Sequence, residues 1–198
     1  MTSELPYGAT PLDPDEAEGL RPTHVRTHRE LDELEEMNIQ AGLEWAHRRT
    51  LRKRRRVDVL SEPFLYELHR EMFGAVWEWA GKVRTTDKNI GVDKFMVRQE
   101  VKKLLDDARF WRENGTYGTD ELALRFHHRL VWIHPFPNGN GRHARMMADL
   151  LAEQAGRPPF SWGGRRLTDV SEVRKAYITA LRRADGGDLG PLMDFARS

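Results

Sequence analysis

The chain has 198 residues, enough for one globular domain with a short additional segment. Its 32 basic and 31 acidic side chains give a net charge of +1, which disfavours a surface built for nucleic acids or membranes. Cysteine is absent, so disulfides and thiolate metal sites are excluded. No apolar run approaches the roughly 20 residues of a membrane span, and the acidic N-terminus lacks an apolar signal core. We expect a cytoplasmic protein that does not enter membranes.

The first quarter of the chain divides into an arm and a helix. Residues 1–26 are rich in Pro, Gly and Asp and are predicted to form an irregular arm. Thr27 and Glu30 have capping-box spacing, and the apolar residues that follow have helical spacing, which predicts a helix over 27–56. The basic end of this helix, residues 47–56, suits the negative end of the helix dipole, or else it contacts an acidic partner or nucleic acid. The near-zero net charge makes direct nucleic-acid binding unlikely.

Residues 57–198 are predicted to be the core domain, mostly helical. A first helix is expected from the N-cap Ser61 to Gly81. The next segment, about 83–97, has β-branched residues and no helical stripe, which predicts a short β-hairpin. Further helices are predicted over 100–115, 119–134, 142–155 and 168–188, with a last turn after 189. The fold class is therefore mainly α, a helical bundle with one short β-hairpin.

One stretch carries the chemistry: HPFPNGNGRHAR, residues 134–145, between two predicted helices. Gly139 and Gly141 allow backbone conformations that turn several N–H groups toward one point. The helix that follows adds its own unpaired N–H groups and its positive end, a common phosphate site. Arg142 and Arg145 are three residues apart, on one side of the first turn, where they can bind further phosphates. The pattern predicts a polyphosphate site, such as one for a nucleotide.

His134 stands immediately before this predicted anion site. A histidine in that place can take a proton from an attacking hydroxyl group. A histidine that merely caps a helix is the simpler alternative, but then its position beside two glycines and two arginines is a coincidence. His127 and His128 lie two turns earlier with no third metal ligand nearby, so they are predicted to pack in or around the core.

The twelve residues 134–145 resemble the Fic family signature, H-P-F-x-[D/E]-G-N-G-R-x-x-R. Residues 76–101 are also similar to the helix-then-flap segment of that family. The opening residues 8–20 and the helix 30–46 resemble one branch, called mobile mystery protein B. The resemblance implies a Fic fold with a β-hairpin flap, and transfer of AMP from ATP to a Tyr, Thr or Ser hydroxyl of a target protein. Relatives in that branch imply a helix-turn-helix partner protein.

The resemblance also implies residue roles. His134 is the general base. The phosphate-binding residues are Gly139, Asn140, Gly141, Arg142 and Arg145, with the arginines at the β/γ end and the leaving pyrophosphate. Lys94 and Phe95 lie on the flap, which pairs with an extended segment of the target through main-chain hydrogen bonds.

Asn138 departs from the signature, which has an acidic residue that binds Mg²⁺ at this position. Asparagine offers only a neutral oxygen, a weaker ligand for a hard cation. Either Mg²⁺ is still bound with help from the phosphates, or the chain is impaired or uses another nucleotide donor. Removal of AMP by the same site, and a nucleotide-binding module without turnover, are the further alternatives. Gly139 is intact, which disfavours the kinase chemistry of the related death-on-curing proteins.

Many Fic proteins carry an inhibitory helix whose glutamate pairs with the second motif arginine. The acidic helix before the core has two candidates, Glu35 and Glu36, although neither is followed by the Gly or Asn of the family pattern. Glu35 is the preferred candidate for reaching Arg145. The alternative is that both acids belong to a solvated helix face.

Overall fold

The computed structural model describes residues 10–51, 57–164 and 169–198. Within these residues the chain forms eight helices and no strand, so the mainly α prediction is confirmed. The helices are α1 (Pro14–Glu18), α2 (His28–Thr50), α3 (Glu62–Phe73), α4 (Val97–Asn114), α5 (Thr119–Ile133), α6 (Asn140–Gln154), α7 (Val170–Asp185) and α8 (Gly190–Arg197). None of these helices is long and apolar enough to cross a membrane.

The helices pack in sequence-adjacent pairs around a main core and a smaller apolar cluster between α7 and α8. The chief pairs are α5 with α6, α2 with α3, α7 with α8, and α4 with α5, and α2 also contacts α6. The core contains fully buried side chains such as Phe64 of α3, Phe126 of α5 and Met147 of α6. The loop between α5 and α6 is therefore fixed at both ends by helices that share this core.

Several predicted helix ends are reproduced. Thr27 accepts a hydrogen bond from the Glu30 N–H, and the Glu30 carboxylate accepts one from the Thr27 N–H, so the capping box at the start of α2 is present. Ser61 is the N-cap of α3, although its side chain makes no capping hydrogen bond. Helix α4 ends at Gly115, which has a positive φ of 59°.

The helix expected to run to Gly81 instead ends at Phe73. The residues after it use their backbone groups elsewhere: the Arg21 N–H donates to the Val76 carbonyl at 2.9 Å, and the Glu78 N–H donates to the Gly19 carbonyl at 2.9 Å. Leu20 and Trp77 form an isolated antiparallel bridge. Pairing with the N-terminal arm therefore replaces the helical hydrogen bonds that the apolar spacing had predicted.

The short β-hairpin flap predicted over residues 83–97 is not found, since the described residues of that segment form turns and bends up to the start of α4. The backbones of its two arms hydrogen bond to the end of α5 and not to each other, and only side chains link the arms. The Arg84 N–H donates to the Pro135 carbonyl, and the Val92 N–H to the Ile133 carbonyl. The buried Arg84 guanidinium group donates hydrogen bonds to three more carbonyls, those of Thr86, Val92 and His134. A strand partner would need these same groups. We keep the name flap for residues 83–96.

The N-terminal arm contains one short helix within the segment predicted to be irregular. Helix α1 begins after Asp13, which forms a capping box with Glu16. Lys88 of the flap forms ion pairs with both of these carboxylates, and only 2% of its side chain is exposed. The arm is thus fastened to the flap by a buried ammonium group.

The basic segment 47–56 is only partly described. Arg52, Lys53, Arg54, Arg55 and Arg56 lie outside the described residues. Within α2, Arg48 lies 3.6 Å from Glu44 and Arg49 lies 3.7 Å from Glu67. These two arginines pair with acids of the same chain.

Candidate functional site

The loop between α5 and α6 joins two helix ends through left-handed backbone conformations. His134 follows α5 with φ 56°, and Gly139 precedes α6 with φ 76°. A Cβ on Gly139 would lie 2.7 Å from the ring of Phe73. Glycine is therefore required here both by conformation and by space, and it sets where the first turn of α6 stands.

Three side chains hold this loop in shape. The Phe136 ring is buried and stacks on His69 with a centroid distance of 3.6 Å. The Asn140 amide accepts from the Phe136 N–H at 2.9 Å and donates to the Phe136 carbonyl at 2.8 Å. The Asn140 side chain is thus fully engaged with the loop, which leaves its backbone N–H as the group that can face an anion.

The first turn of α6 carries the backbone donors of the predicted anion site. The first N–H groups of a helix have no acceptor within the helix, and they carry its positive end. The Gly139 N–H is an exception here, because it donates to the Asn138 side-chain oxygen at 2.6 Å. The donors that the predicted cradle can offer are therefore the N–H groups of Asn140, Gly141 and Arg142.

Arg142 is paired with Glu35 of α2. The Arg142 Nη1 lies 2.6 Å from one Glu35 oxygen, and the Trp77 indole N–H donates to the other at 2.6 Å. Glu35 is 8% exposed, whereas Glu36 is exposed and accepts from the side chain of Gln40. Of the two predicted acids, Glu35 is the one that reaches the motif. It pairs with the first motif arginine, which differs from the predicted contact with Arg145: α2 runs alongside α6, with Glu35 beside Arg142 and His47 beside Glu153.

Arg145 lies one turn further along α6, over the ring of Tyr177 from α7 at 5.3 Å from the ring centre. Arg174, on the same helix as Tyr177, approaches both motif arginines, whose positive charges add to burial in lowering its pKa. Three guanidinium groups therefore gather at the start of α6. Arg174 and Tyr177 were not predicted as site residues; their spacing of three residues on one helix face was the available signal.

His134 is 5% exposed, and neither of its ring nitrogens has a hydrogen-bond partner within the described part of the chain. Burial, together with the positive charges of Arg84 and Lys88, lowers its pKa to about 4. The imidazole is neutral at pH 7 as a result. A buried, neutral and unpaired imidazole is the form that a proton acceptor requires.

The other predicted flap residues lie at the surface. Phe95 is 83% exposed, and the Lys94 ammonium lies 5.3 Å from the centre of its ring. The Lys94 N–H donates to the side chain of Asp87 at 3.0 Å. Ile90 and Met96 are also exposed, so the flap presents a small apolar surface.

The structure supplies little for a metal ion. Among the described residues no group of three or more His, Cys, Asp or Glu side chains is placed to bind one. Asn138 was the predicted ligand, but its side-chain oxygen already accepts the Gly139 N–H, and its amide nitrogen lies 3.4 Å from the Thr10 carbonyl. Among the described residues, Asn138 is therefore already engaged within the protein at the position where the signature has its metal ligand.

The two histidines of α5 differ in environment. His127 is fully buried, and its Nε2 shares a hydrogen bond with the Tyr177 hydroxyl at 3.1 Å. The His128 Nε2 lies 2.8 Å from Asp185. Both have protein partners, as expected of residues that pack around a site.

Residues 59–152 match the family described as Fic/DOC. This region is a Fic domain. The protein adenylyltransferase fic-1 of Caenorhabditis elegans is 31% identical over 86% of this chain and 32% of its own length. The protein adenylyltransferase Fic of Nematostella vectensis is 29% identical over 66% of this chain and 30% of its own length. The chain thus spans about a third or less of the curated relatives it matches.

Solved structures show the same fold. A Fic-1 fragment from C. elegans superposes with a TM-score of 0.68 at 27% identity, over 91% of this chain and 51% of that one. BepC of Bartonella tribocorum, solved with bound AMPPNP, superposes with a TM-score of 0.67 at 18% identity, over 92% of this chain and 95% of that one. The eight helices therefore follow the arrangement of Fic proteins.

Proposed function

We propose that the chain is a protein adenylyltransferase, which transfers AMP from ATP to a hydroxyl group of a target protein. The observation that carries this proposal is the neutral, unpaired imidazole of His134 one loop before a helix N-terminus that bears Arg142 and Arg145. A proton acceptor and a polyphosphate site are the two groups that such a transfer needs. The Fic domain and the relatives named adenylyltransferases support the same assignment.

The first turn of α6 binds the nucleotide phosphates in this proposal. The N–H groups of Asn140, Gly141 and Arg142 hold the α- and β-phosphates, while Gly139 sets the turn. The guanidinium groups of Arg142 and Arg145 bind the β/γ end. Because the backbone N–H donors are fixed by the first turn of α6 before the nucleotide arrives, they reorganise little during the reaction.

His134 then acts as the general base. It removes the proton from the target hydroxyl as the hydroxyl oxygen forms a bond to the α-phosphorus. The bond from that phosphorus to the bridging oxygen of the β-phosphate breaks, and pyrophosphate leaves with the electron pair on that oxygen. The arginines stabilise the charge on the leaving group.

The flap docks the target. Phe95 and Lys94 present an apolar ring and a cation at the surface, and the backbone after them leads directly into α4. An extended target segment on this surface would bring a Tyr, Thr or Ser hydroxyl to His134.

Glu35 inhibits the enzyme in this proposal. A guanidinium group that is paired with a carboxylate at 2.6 Å cannot bind a phosphate with the same nitrogen. Release of Glu35 frees Arg142, so the resting activity is low and a Glu35 variant is more active. Glu36 has no part in this, because its side chain faces solvent.

Mg²⁺ is proposed as a cofactor whose ligands come mostly from the phosphates of ATP. When bound, it would neutralise phosphate charge. Asn138 contributes at most a neutral oxygen, and only after giving up the Gly139 N–H. We therefore expect a higher metal requirement than an acidic residue at this position would give. This engaged oxygen also favours, as a second candidate, a module that binds nucleotide without turnover.

The finer assignments rest on the sequence alone, the first two on resemblance and the last two on composition and helical patterning. They are the mobile mystery protein B-like branch, a helix-turn-helix partner protein, a cytoplasmic location, and the domain division into an arm 1–26, a helix 27–56 and a core 57–198. The contacts of α2 with α3 and α6 support the idea that the helix regulates the core.

The proposal is tested with ATP labelled at the α- or the γ-phosphate, in cell lysate with Mg²⁺ or Mn²⁺. Adenylyl transfer puts the α label, and not the γ label, on protein, and His134→Ala removes it. Transfer of the γ label would indicate phosphoryl transfer instead. ATP binding with no label in the wild type, Glu35→Gln or His134→Ala proteins would indicate the binding module. Competition with GTP, CTP and UTP, together with a test of AMP release from labelled protein, separates the other-donor and AMP-removal alternatives.

A further inference from the structure

Helix α7 reaches the phosphate site through one side chain, Tyr177. Its ring centre lies 5.3 Å from the Arg145 guanidinium carbon. Its hydroxyl lies 3.1 Å from the His127 Nε2, and 3.6 Å from where a Cβ on Gly141 would stand. Tyr177 thus adjoins Gly141 and Arg145 of the motif on α6, and it is tied to α5 as well.

The positive charge of Arg145 acts on the carboxyl group of Asp149, one turn further along α6, but its guanidinium group also faces like charges. Arg142 and Arg174 are close enough for the charges of the motif arginines to lower the pKa of Arg174. Like charges drive long side chains apart, and a mobile guanidinium loses conformational entropy when it binds a phosphate. The face of an aromatic ring attracts a guanidinium group and restricts it.

The ring is itself fixed. Its hydroxyl bonds to His127, which is fully buried and packs against Trp162 at a centroid distance of 4.8 Å. Burial raises the pKa of Tyr177 to about 12 and lowers that of His127 to about 3. Both partners are therefore neutral at ordinary pH, and the hydrogen bond between them does not depend on a charge.

We infer that Tyr177 is a positioning residue for the phosphate site, which holds Arg145 in place for the terminal phosphates of a nucleoside triphosphate, with His127 fixing its ring. That the bound groups are the phosphates of a nucleotide rests on the proposed function, whereas the position of Arg145 over the Tyr177 ring is independent of it. This inference gives a role to His127, which sequence reasoning had assigned only to packing.

The first test compares the Kd of ATP with that of AMP for the wild type, Tyr177→Phe and Tyr177→Leu proteins. Loss of the ring in Tyr177→Leu is expected to raise the Kd of ATP about 5- to 30-fold. The Kd of AMP should change less than about two-fold, because AMP lacks the phosphates that Arg145 binds. Tyr177→Phe keeps the ring but loses the His127 bond, so an intermediate loss is expected. An equal loss for ATP and AMP would overturn the inference.

The chain offers a matched control in Tyr117. Arg125 lies over the Tyr117 ring at 4.3 Å from its centre, so Tyr117→Leu removes an arginine–tyrosine pair outside the motif. This variant is expected to bind ATP as the wild type does. If Tyr117→Leu weakens ATP as much as Tyr177→Leu does, the effect is one of general stability and the inference fails.

A second readout needs no nucleotide. The side-chain protons of Arg145, assigned by their loss in Arg145→Lys, should show ring-current shifts in the wild type and Tyr177→Phe proteins and lose them in Tyr177→Leu. Unshifted Arg145 signals in the wild type would contradict the inference even if every Leu variant failed to fold. If the wild type binds no ATP, the proposed function fails, while this spectrum still decides whether Tyr177 holds Arg145.

Discussion

The two sides of the motif loop each hold a cation against acids of the N-terminal part of the chain, but in different environments. On the phosphate side, Arg142 pairs with Glu35 and keeps 35% of its side chain exposed. On the His134 side, Lys88 pairs with Asp13 and Glu16 and keeps only 2% exposed. Charge pairs near water contribute little to stability, whereas a buried charge that loses its partner is costly. The first contact is therefore suited to be opened and the second to be permanent.

Acid pH should produce the largest effect, because it acts on four buried histidines. Burial lowers the pKa of His134 to about 4 and those of His127 and His143 to about 3, and that of His69 is also well below its usual range. Below pH 6.5 these histidines are protonated in the unfolded chain but stay neutral in the folded state. The free energy of unfolding therefore falls as the pH drops toward 4.

Asp149 opposes this trend in part. Burial raises its pKa to about 6, so below pH 6 the folded state takes up a proton before the unfolded state does. The four histidine rings outweigh the one carboxyl group, so the free energy of unfolding should fall by more than about 4 kcal/mol between pH 7 and 5. Urea unfolding at several pH values measures it. A flat profile over this interval would contradict the burial of these rings.

Gly91→Ala should destabilise the fold where the flap packs against His134. Gly91 has a φ of 108°, and a Cβ there would lie 2.8 Å from the His134 Cβ. We expect a loss of about 2–4 kcal/mol in the free energy of unfolding from backbone strain and overlap. Gly141→Ala is the matched control, since its Cβ would meet only the Tyr177 hydroxyl at 3.6 Å. Equal losses in the two variants would show that the flap does not press on His134.

Glu16→Gln should cost about 1–3 kcal/mol, because it leaves the buried Lys88 with Asp13 as its only carboxylate partner. Glu35→Gln removes the charge of a buried acid whose arginine partner keeps 35% of its side chain exposed. It should cost less than about 1 kcal/mol, since water can reach Arg142 and the amide oxygen can still accept from Trp77. Thermal unfolding of both variants measures the difference. A larger loss for Glu35→Gln would reverse the comparison.

The motif loop could be predicted from sequence because its chemistry is contiguous: His134, the glycines and both arginines lie within twelve residues. The contact of Glu35 with Arg142 joins residues 107 positions apart, and the choice of the first arginine depends on where α2 lies along α6, which no local pattern specifies. The hairpin prediction was wrong for a related reason. The β-branched residues near Arg84 indicate extended backbone, but the end of α5 supplies the hydrogen-bond partners.

The prediction that α3 runs to Gly81 was wrong for the same reason. Apolar residues such as Val76 and Trp79 keep helical spacing, yet the arm around Leu20 takes up the backbone groups beside them. Lys88 and Tyr177 were missed because each acquires its meaning from partners on distant elements. Local propensity thus predicted the helices and the phosphate loop, and long-range pairing determined everything that surrounds them.

The central claim is that Glu35 restrains a site that is otherwise ready for transfer. The most direct measurement is the initial rate of label transfer from α-labelled ATP by the wild type, Glu35→Gln and Glu36→Gln proteins, with His134→Ala added to each. We predict at least a ten-fold higher rate for Glu35→Gln, no change for the exposed Glu36→Gln, and loss of all label without His134. Equal rates for Glu35→Gln and the wild type, or label that persists without His134, would contradict the claim.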